Sequence, residues 1–139
     1  MNRAAAHGVI FGLSAVAWLM AAPAVAQRSQ DWQWCAADST PPDPRIAACT
    51  AIVESRGEPP ANVAAAYGNR GVAHQRKGDL ARAMADFNEA IRLDSRKAFL
   101  FQNRSLAFYA KRDTDRAIAD CSEAVRLDPN LAGRCPSKP

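Results

Sequence analysis

Arg82-Ala83-Met84-Ala85-Asp86-Phe87 returns 34 residues later as Arg116-Ala117-Ile118-Ala119-Asp120-Cys121. The echo runs on in both directions. Glu89-Ala90-Ile91-Arg92-Leu93-Asp94 pairs with Glu123-Ala124-Val125-Arg126-Leu127-Asp128. Upstream, Ala64 to Gly71 pairs with Ala98 to Ser105, with Asn69-Arg70 matching Asn103-Arg104. Without a gap, 15 of the 34 paired positions are identical. A fixed period of this length marks stacked helical hairpins, because one hairpin cannot bury its apolar face alone. Stacks of this kind present extended binding surfaces.

The apolar spacing predicts four helices of similar length in this region. They cover Val63 to about Lys77, Leu80 to Leu93, about Ala98 to Lys111, and about Thr114 to Leu127. Asn62 is the expected cap of the first. Gly78-Asp79 and Arg112-Asp113 take the turns, and Asp128-Pro129-Asn130 stops the last helix. On the second helix Met84, Phe87, Ala90 and Ile91 face inward. Joins this short force antiparallel neighbours. Upstream, Gln27 to Pro44 reads as irregular, apart from a short helical stretch around Asp31 to Ala37. A helix from Pro44, capped by Asp43, runs to about Ser55 with Ile46, Cys49, Ile52 and Val53 on one face. Gly57 ends it, and Glu58-Pro59-Pro60 reads as a stiff linker.

Residues 1–26 read as a secretory leader. Arg3 opens it, Gly8 to Ala22 is uncharged and mostly apolar, and Ala24-Val25-Ala26 after Pro23 is a small-x-small cleavage signal. The apolar run is about 15 residues, short of the roughly 20 that span a bilayer. Cleavage after Ala26 is expected, leaving no membrane span and a periplasmic or secreted chain beginning at Gln27. The residue directly after the cleavage point is Gln27 and not Cys, which argues against a lipid anchor. Cleavage removes Arg3 alone and lowers the net charge from +4 to +3. The charges are interspersed, which is a solvated helical surface and not a nucleic-acid footprint.

Counted from Ala64 as position one, the pattern resembles the tetratricopeptide repeat. That consensus wants large aromatics at four, eleven and twenty-four, small residues at eight, twenty and twenty-seven, and Pro at thirty-two. The first copy supplies Tyr67, Gly71, His74, Ala83, Phe87, Ala90 and Ser95. The second supplies Phe101, Ser105, Phe108, Ala117, Cys121, Ala124 and Pro129. Small residues let paired helices approach, and large ones fill the gaps between hairpins. His74, Ser105 and Ser95 depart from the consensus without disturbing the fold it implies. Ile46-Ala47-Ala48-Cys49-Thr50 also matches Ile118-Ala119-Asp120-Cys121-Ser122, so Cys49 falls at position twenty-four of a degenerate upstream repeat. A third copy would begin at Ala132, with Cys135 at position four, and Pro136 ends it.

The resemblance implies an all-α fold. It would be a right-handed superhelix of antiparallel helical hairpins, a solenoid of about two and a half repeats. Its expected parts are a signal peptide (1–26), a Cys-tethered lead-in with a degenerate half repeat and linker (27–60), repeat one (61–97), repeat two (98–131), and an aborted third repeat or tail (132–139).

Cys35, Cys49, Cys121 and Cys135 form an even set in an exported chain, which favours disulfides. No CxxC or CxxCH is present, so thioredoxin-like, zinc-ribbon and c-type haem readings have no support. In the repeat register, Cys121–Cys135 would pin the tail over the last hairpin's apolar face. Cys35–Cys49 would fasten the tryptophan-bearing lead-in to the first helix. Other connectivities, and reduced buried cysteines, stay open.

Candidate chemistry is sparse. His74 has no Cys or carboxylate at ligand spacing and reads as a packing residue. No Ser, His and Asp set and no Gly-rich phosphate loop stands out, so no catalytic residue, metal or cofactor is assigned. Arg70 and Asp86 recur as Arg104 and Asp120, and each pair is expected to join within its hairpin. Anion binding by the two arginines is the alternative. The family's groove implies a partner surface at Gly68, Asn69, Val72, Gln75, Arg76, Phe99, Gln102, Asn103, Leu106 and Tyr109. Chaperone-tail binders place Lys at five and Asn at nine, where this chain has Gly68 and Val72. Only Asn103 matches that clamp, which argues against chaperone tails. Phe99 and Tyr109 remain as anchors for a peptide, or as packing against neighbouring hairpins.

The expected function is therefore an exported, non-catalytic module that binds a protein or peptide, a scaffold or assembly factor of the cell envelope. A self-associating structural protein is the alternative, and an accessory subunit of an enzyme follows behind.

Overall fold

The computed structural model describes residues 22–135. The leader expected at 1–26 lies outside the described residues except for its last five, and so do the tail residues 136–139. Six helices follow in order: α1 (Ala22–Ala36), α2 (Pro42–Glu54), α3 (Pro60–Arg76), α4 (Leu80–Leu93), α5 (Ala98–Ala110) and α6 (Thr114–Leu127). A 3-10 helix, Pro129–Arg134, closes the chain, and no strand occurs among the described residues. The helices pair as α1/α2, α3/α4 and α5/α6, and each hairpin packs on the next through α2 against α3 and α4 against α5. The first helices also touch along the stack, α1 to α3 and α3 to α5. This is an all-α solenoid of helical hairpins.

The repeated helices follow from local chemistry. Asp79 and Asp113 cap α4 and α6 by accepting from the backbone N–H of Arg82 at 3.1 Å and Arg116 at 3.2 Å. On α4 the buried set is Ala83, Asp86, Phe87 and Ala90; on α6 it is Ala117, Asp120, Cys121 and Ala124. Both fall at i, i+3, i+4 and i+7, one face of a 3.6-residue period. Gly71 sits directly under Phe87: a Cβ there would lie 2.7 Å from the ring. Only a glycine lets α3 approach α4 around so large a side chain. The second copy solves the same contact with Ser105, whose hydroxyl donates to Ala117 O at 2.7 Å, opposite the smaller Cys121.

The lead-in departs from the sequence expectation. Gln27 to Pro44 is not irregular; α1 runs through Ala36 and α2 starts at Pro42. Residues 24–36 lack apolar periodicity but contain no breaker, and tertiary packing of Trp32 and Cys35 on Ala48, Cys49, Ile52 and Ala66 holds the helix. The cap assignments also change. Pro41 and Pro59 occupy the caps of α2 and α3, without a side-chain hydrogen bond. Their successors Pro42 and Pro60 begin the helices, since proline's fixed φ suits a first turn that needs no N–H donor. Pro59-Pro60 is thus a helix start and not a linker. Asp43 pairs instead with Lys77, and Asn62 donates to Glu58 Oε2 at 3.0 Å.

Arg45 was not foreseen as a core residue. It is 1% exposed, on the α2 face that also carries Ala48, Cys49 and Ile52. Counted back from Cys49, it stands where α4 has Ala83 and α6 has Ala117. At the other end, no α-helical turn begins at Ala132. The chain is 3-10 from Pro129, then extended at Cys135. Asp128 explains this. It accepts from Asn130 N at 3.0 Å, which starts a tight turn two residues before the repeat would restart.

Candidate functional site

The expected groove residues lie on α3 and α5, and the two helices present different surfaces. On α3, Gly68 is buried beneath Leu100 and Phe99, so it offers nothing to a ligand. Val72 packs on the core of Ala83, Phe87 and Ala107. Asn69 Oδ1 accepts from Arg45 Nη2 at 3.3 Å. Arg76 Nη1 donates to the Asp38 carbonyl at 2.9 Å. Gln75 is half-buried. The loop joining α1 to α2, residues 37–41, therefore lies over the α3 side. On α5, Phe99 is half-buried over Gly68, and Gln102 and Asn103 are half-buried. Leu106 and Tyr109 are 39% and 47% exposed. They stand one helical turn apart on one face.

Arg45 is what ties the lead-in to α3. Its Nε donates to the Cys35 carbonyl at 3.0 Å, near the C-terminus of α1, where a cation is favoured. Its Nη1 lies 3.0 Å from Asp38 Oδ1 but without hydrogen-bond alignment. The register found from Cys49 was the one signal that could have revealed it, since it places a large cation where the other repeats hold alanine.

The structure brings Arg70 to Asp86 and Arg104 to Asp120. Arg70 Nε and Nη2 donate to the two Asp86 oxygens at 2.9 and 2.8 Å. Arg104 does the same to Asp120, both at 2.7 Å. Each arginine has a third contact across to the preceding hairpin. Arg70 Nη1 donates to Thr50 Oγ1 at 3.0 Å, and Arg104 Nη1 to Asn88 Oδ1 at 2.8 Å. Each also stacks on an aromatic, Arg70 over Tyr67 and Arg104 over Phe101. The bidentate pairs therefore clamp three helices at a time. The hydrogen bond to Asp86 raises the Arg70 pKa further above its ordinary value. In both arginines Nε, Nη1 and Nη2 all donate within the protein, which leaves little of either guanidinium for an anion.

His74 is buried on α3, and its Nε2 is 3.9 Å from Asp86 Oδ2. Burial lowers its pKa below the ordinary value of 6.5, with Asp86 opposing in part. It is a neutral packing residue in the place where α5 has Phe108. Among the described residues no group of three His, Cys, Asp or Glu side chains converges to hold a metal.

The four cysteines stand in two pairs at disulfide-bonding distance, Cys35 with Cys49 and Cys121 with Cys135. Their Cα atoms are 4.8 and 5.7 Å apart, within the range a disulfide accepts. Cys35 and Cys49 are fully buried; Cys135 is half-exposed. A depression of about 390 Å³ lined by Ile118, Cys121, Val125, Ala132 and Cys135 lies at this end, so the described part of the tail covers the last hairpin's apolar face only in part.

Two family profiles, each described as tetratricopeptide repeat, match residues 64–97 and 100–131. No curated protein matches the chain. Repeats of this kind are typically protein-interaction modules rather than catalysts. The two matches coincide with the α3/α4 and α5/α6 hairpins, and the chain is a tetratricopeptide-repeat protein.

Proposed function

We propose that this protein is an exported, disulfide-stapled scaffold or assembly factor of the cell envelope, and that it holds a protein partner on α5. The observation that carries the reading is the exposed pair Leu106 and Tyr109 on a helix otherwise packed on both sides. Tyrosine and leucine on a rigid helix lose little entropy when a partner covers them. Export rests on the leader at 1–26 and on the even cysteine set. Among the described residues no helix is long and apolar enough to cross a membrane. Cleavage after Ala26 would remove the first turn of α1 and keep Gln27–Ala36, including Trp32 and Cys35. The domain reading follows: lead-in at 27–60, repeats at 61–97 and 98–131, and the tail from 132 pinned by Cys135.

The test is production of the full chain in a bacterial host, with fractionation, mass measurement and affinity capture from envelope extract. The expected product begins at Gln27, resists alkylation until reduced, and captures a partner that Leu106→Ala/Tyr109→Ala loses. A product retained in the cytoplasm with its leader would refute export. The same partners on both baits would refute the α5 surface.

A further inference from the structure

The turns that end α3 and α5 share one backbone but not one residue. Gly78 N–H donates to Gln75 O at 2.9 Å and Asp79 N–H to His74 O at 3.0 Å. Arg112 N–H donates to Tyr109 O at 2.9 Å and Asp113 N–H to Phe108 O at 3.0 Å. Gly78 has φ +80°, as glycine readily does; Arg112 takes φ +61°, which an L side chain resists. Arg112 is the one non-glycine residue with positive φ among those described. Strain kept where glycine would serve points to a use for the side chain.

The surroundings of the two turns differ in the same sense. In the first repeat the cations beside the turn are exposed but paired within the chain. Lys77 pairs with Asp43 in the first turn of α2, and Arg76 donates to the Asp38 carbonyl. In the second repeat Lys111 and Arg112 are exposed, and no carboxylate among the described residues lies within ion-pair distance of either. Of the nearby acids, Asp113 is held by Arg116 and caps α6, and Asp115 is exposed. Beside them a hollow of about 430 Å³ is lined by Tyr109, Ala110, Arg112 and Thr114.

We infer that the α5–α6 turn is a docking site for an extended acidic segment of another protein. Its carboxylates meet Lys111 and Arg112, and an adjoining apolar side chain seats on Tyr109 and Leu106. The chain's own Asp43 on Lys77 is the internal precedent for this chemistry. Charge complementarity sets the choice of partner, and the apolar anchors set the register. The inference rests on the α5 reading above and adds the chemistry of the occupant.

The probe is a synthetic peptide copying residues 38–43 of this chain with a leucine added at its amino end. Its twin carries asparagine for both aspartates. Each is titrated into the isotope-labelled full chain and followed by amide NMR. The acidic peptide should shift the amides from Tyr109 to Thr114, and raised salt should weaken it. The twin should leave them in place. Arg112→Gly should weaken binding about fivefold, the loss of one exposed charge pair, while raising the melting temperature by relieving the turn. The rise in melting temperature shows that lost binding is not lost folding. Equal shifts from both peptides, shifts confined to the Lys77 turn, or unchanged affinity in Arg112→Gly would each overturn the inference. Failure here leaves the capture experiment standing, because that experiment reads Leu106 and Tyr109 and not charge.

Discussion

The two repeats share their frame and differ in what lies over it. Repeat one has the cations beside its turn paired with Asp43 and the Asp38 carbonyl, its Asn69 held by Arg45, and its Gly68 roofed by Phe99 and Leu100. Repeat two has Leu106 and Tyr109 in solvent and Lys111 and Arg112 without a carboxylate among the described residues. The cause is position in the stack. Each hairpin is covered on one side by its predecessor, and the α1–α2 loop with the first turn of α2 reaches the cations beside the next turn, through Asp38 and Asp43. The α3–α4 turn, at 77–79, is too short to do the same for α5. The first repeat is therefore tied to the chain's own lead-in, and the corresponding groups of the second are not.

The shared frame gives the largest expected effect. Asp86→Ala and Asp120→Ala each strand a mostly buried guanidinium that spans three helices. Each should lose about 3 kcal/mol of stability in urea denaturation. The two losses should be similar. A loss below about 1 kcal/mol at either site would show that the clamp is surface decoration there.

The disulfide pairs should separate the two ends of the molecule. Replacing Cys121 and Cys135 by serine removes a cross-link across 14 residues and should cost about 3 kcal/mol by the chain-entropy argument. In the intact chain, mild thiol reductant with alkylation and peptide mapping should open Cys121–Cys135 first. Its Cys135 is half-exposed, whereas Cys35 and Cys49 are fully buried. Simultaneous opening would mean that the lead-in is no better packed than the tail.

Much of this was legible in the residues, and the failures have physical reasons. The limits of α4 and α6 could be read closely because Asp79 and Asp113 cap them and their buried faces keep one period. The ion pairs could be proposed because Arg70 and Asp86 recur together. α1 could be read only at its end, around Asp31 to Ala37: its sequence has no amphipathic stripe, and it is held by Trp32 and Cys35 against a core that exists only in three dimensions. The proline pairs read as breaks in the sequence because proline both stops and starts helices, and only its place in the turn decides. Asn69 is held by Arg45 and Arg76 by the Asp38 carbonyl, both far upstream in the chain, which no local pattern reports.

A smaller effect sharpens the comparison at one position. His74 stands where repeat two has Phe108, and its folded pKa is lowered chiefly by burial. The unfolded chain therefore takes up the proton first. The contribution of His74 is present in full above its unfolded pKa and is lost as pH falls through 6.5 toward the folded value. Thermal melts should show stability declining over that interval, and His74→Phe should remove the decline. An unchanged pH profile in His74→Phe would place the titration elsewhere.

The central claim is that repeat one is tied to the chain's own lead-in and that repeat two holds a partner on α5. Photo-crosslinking from Gln75 and Tyr109, equivalent positions on α3 and α5, tests it most directly. With a photoreactive residue at each in turn, in cells producing the full chain, position 109 should yield a crosslinked partner and position 75 should not. Equal crosslinking from both, or crosslinking from 75 alone, would contradict it.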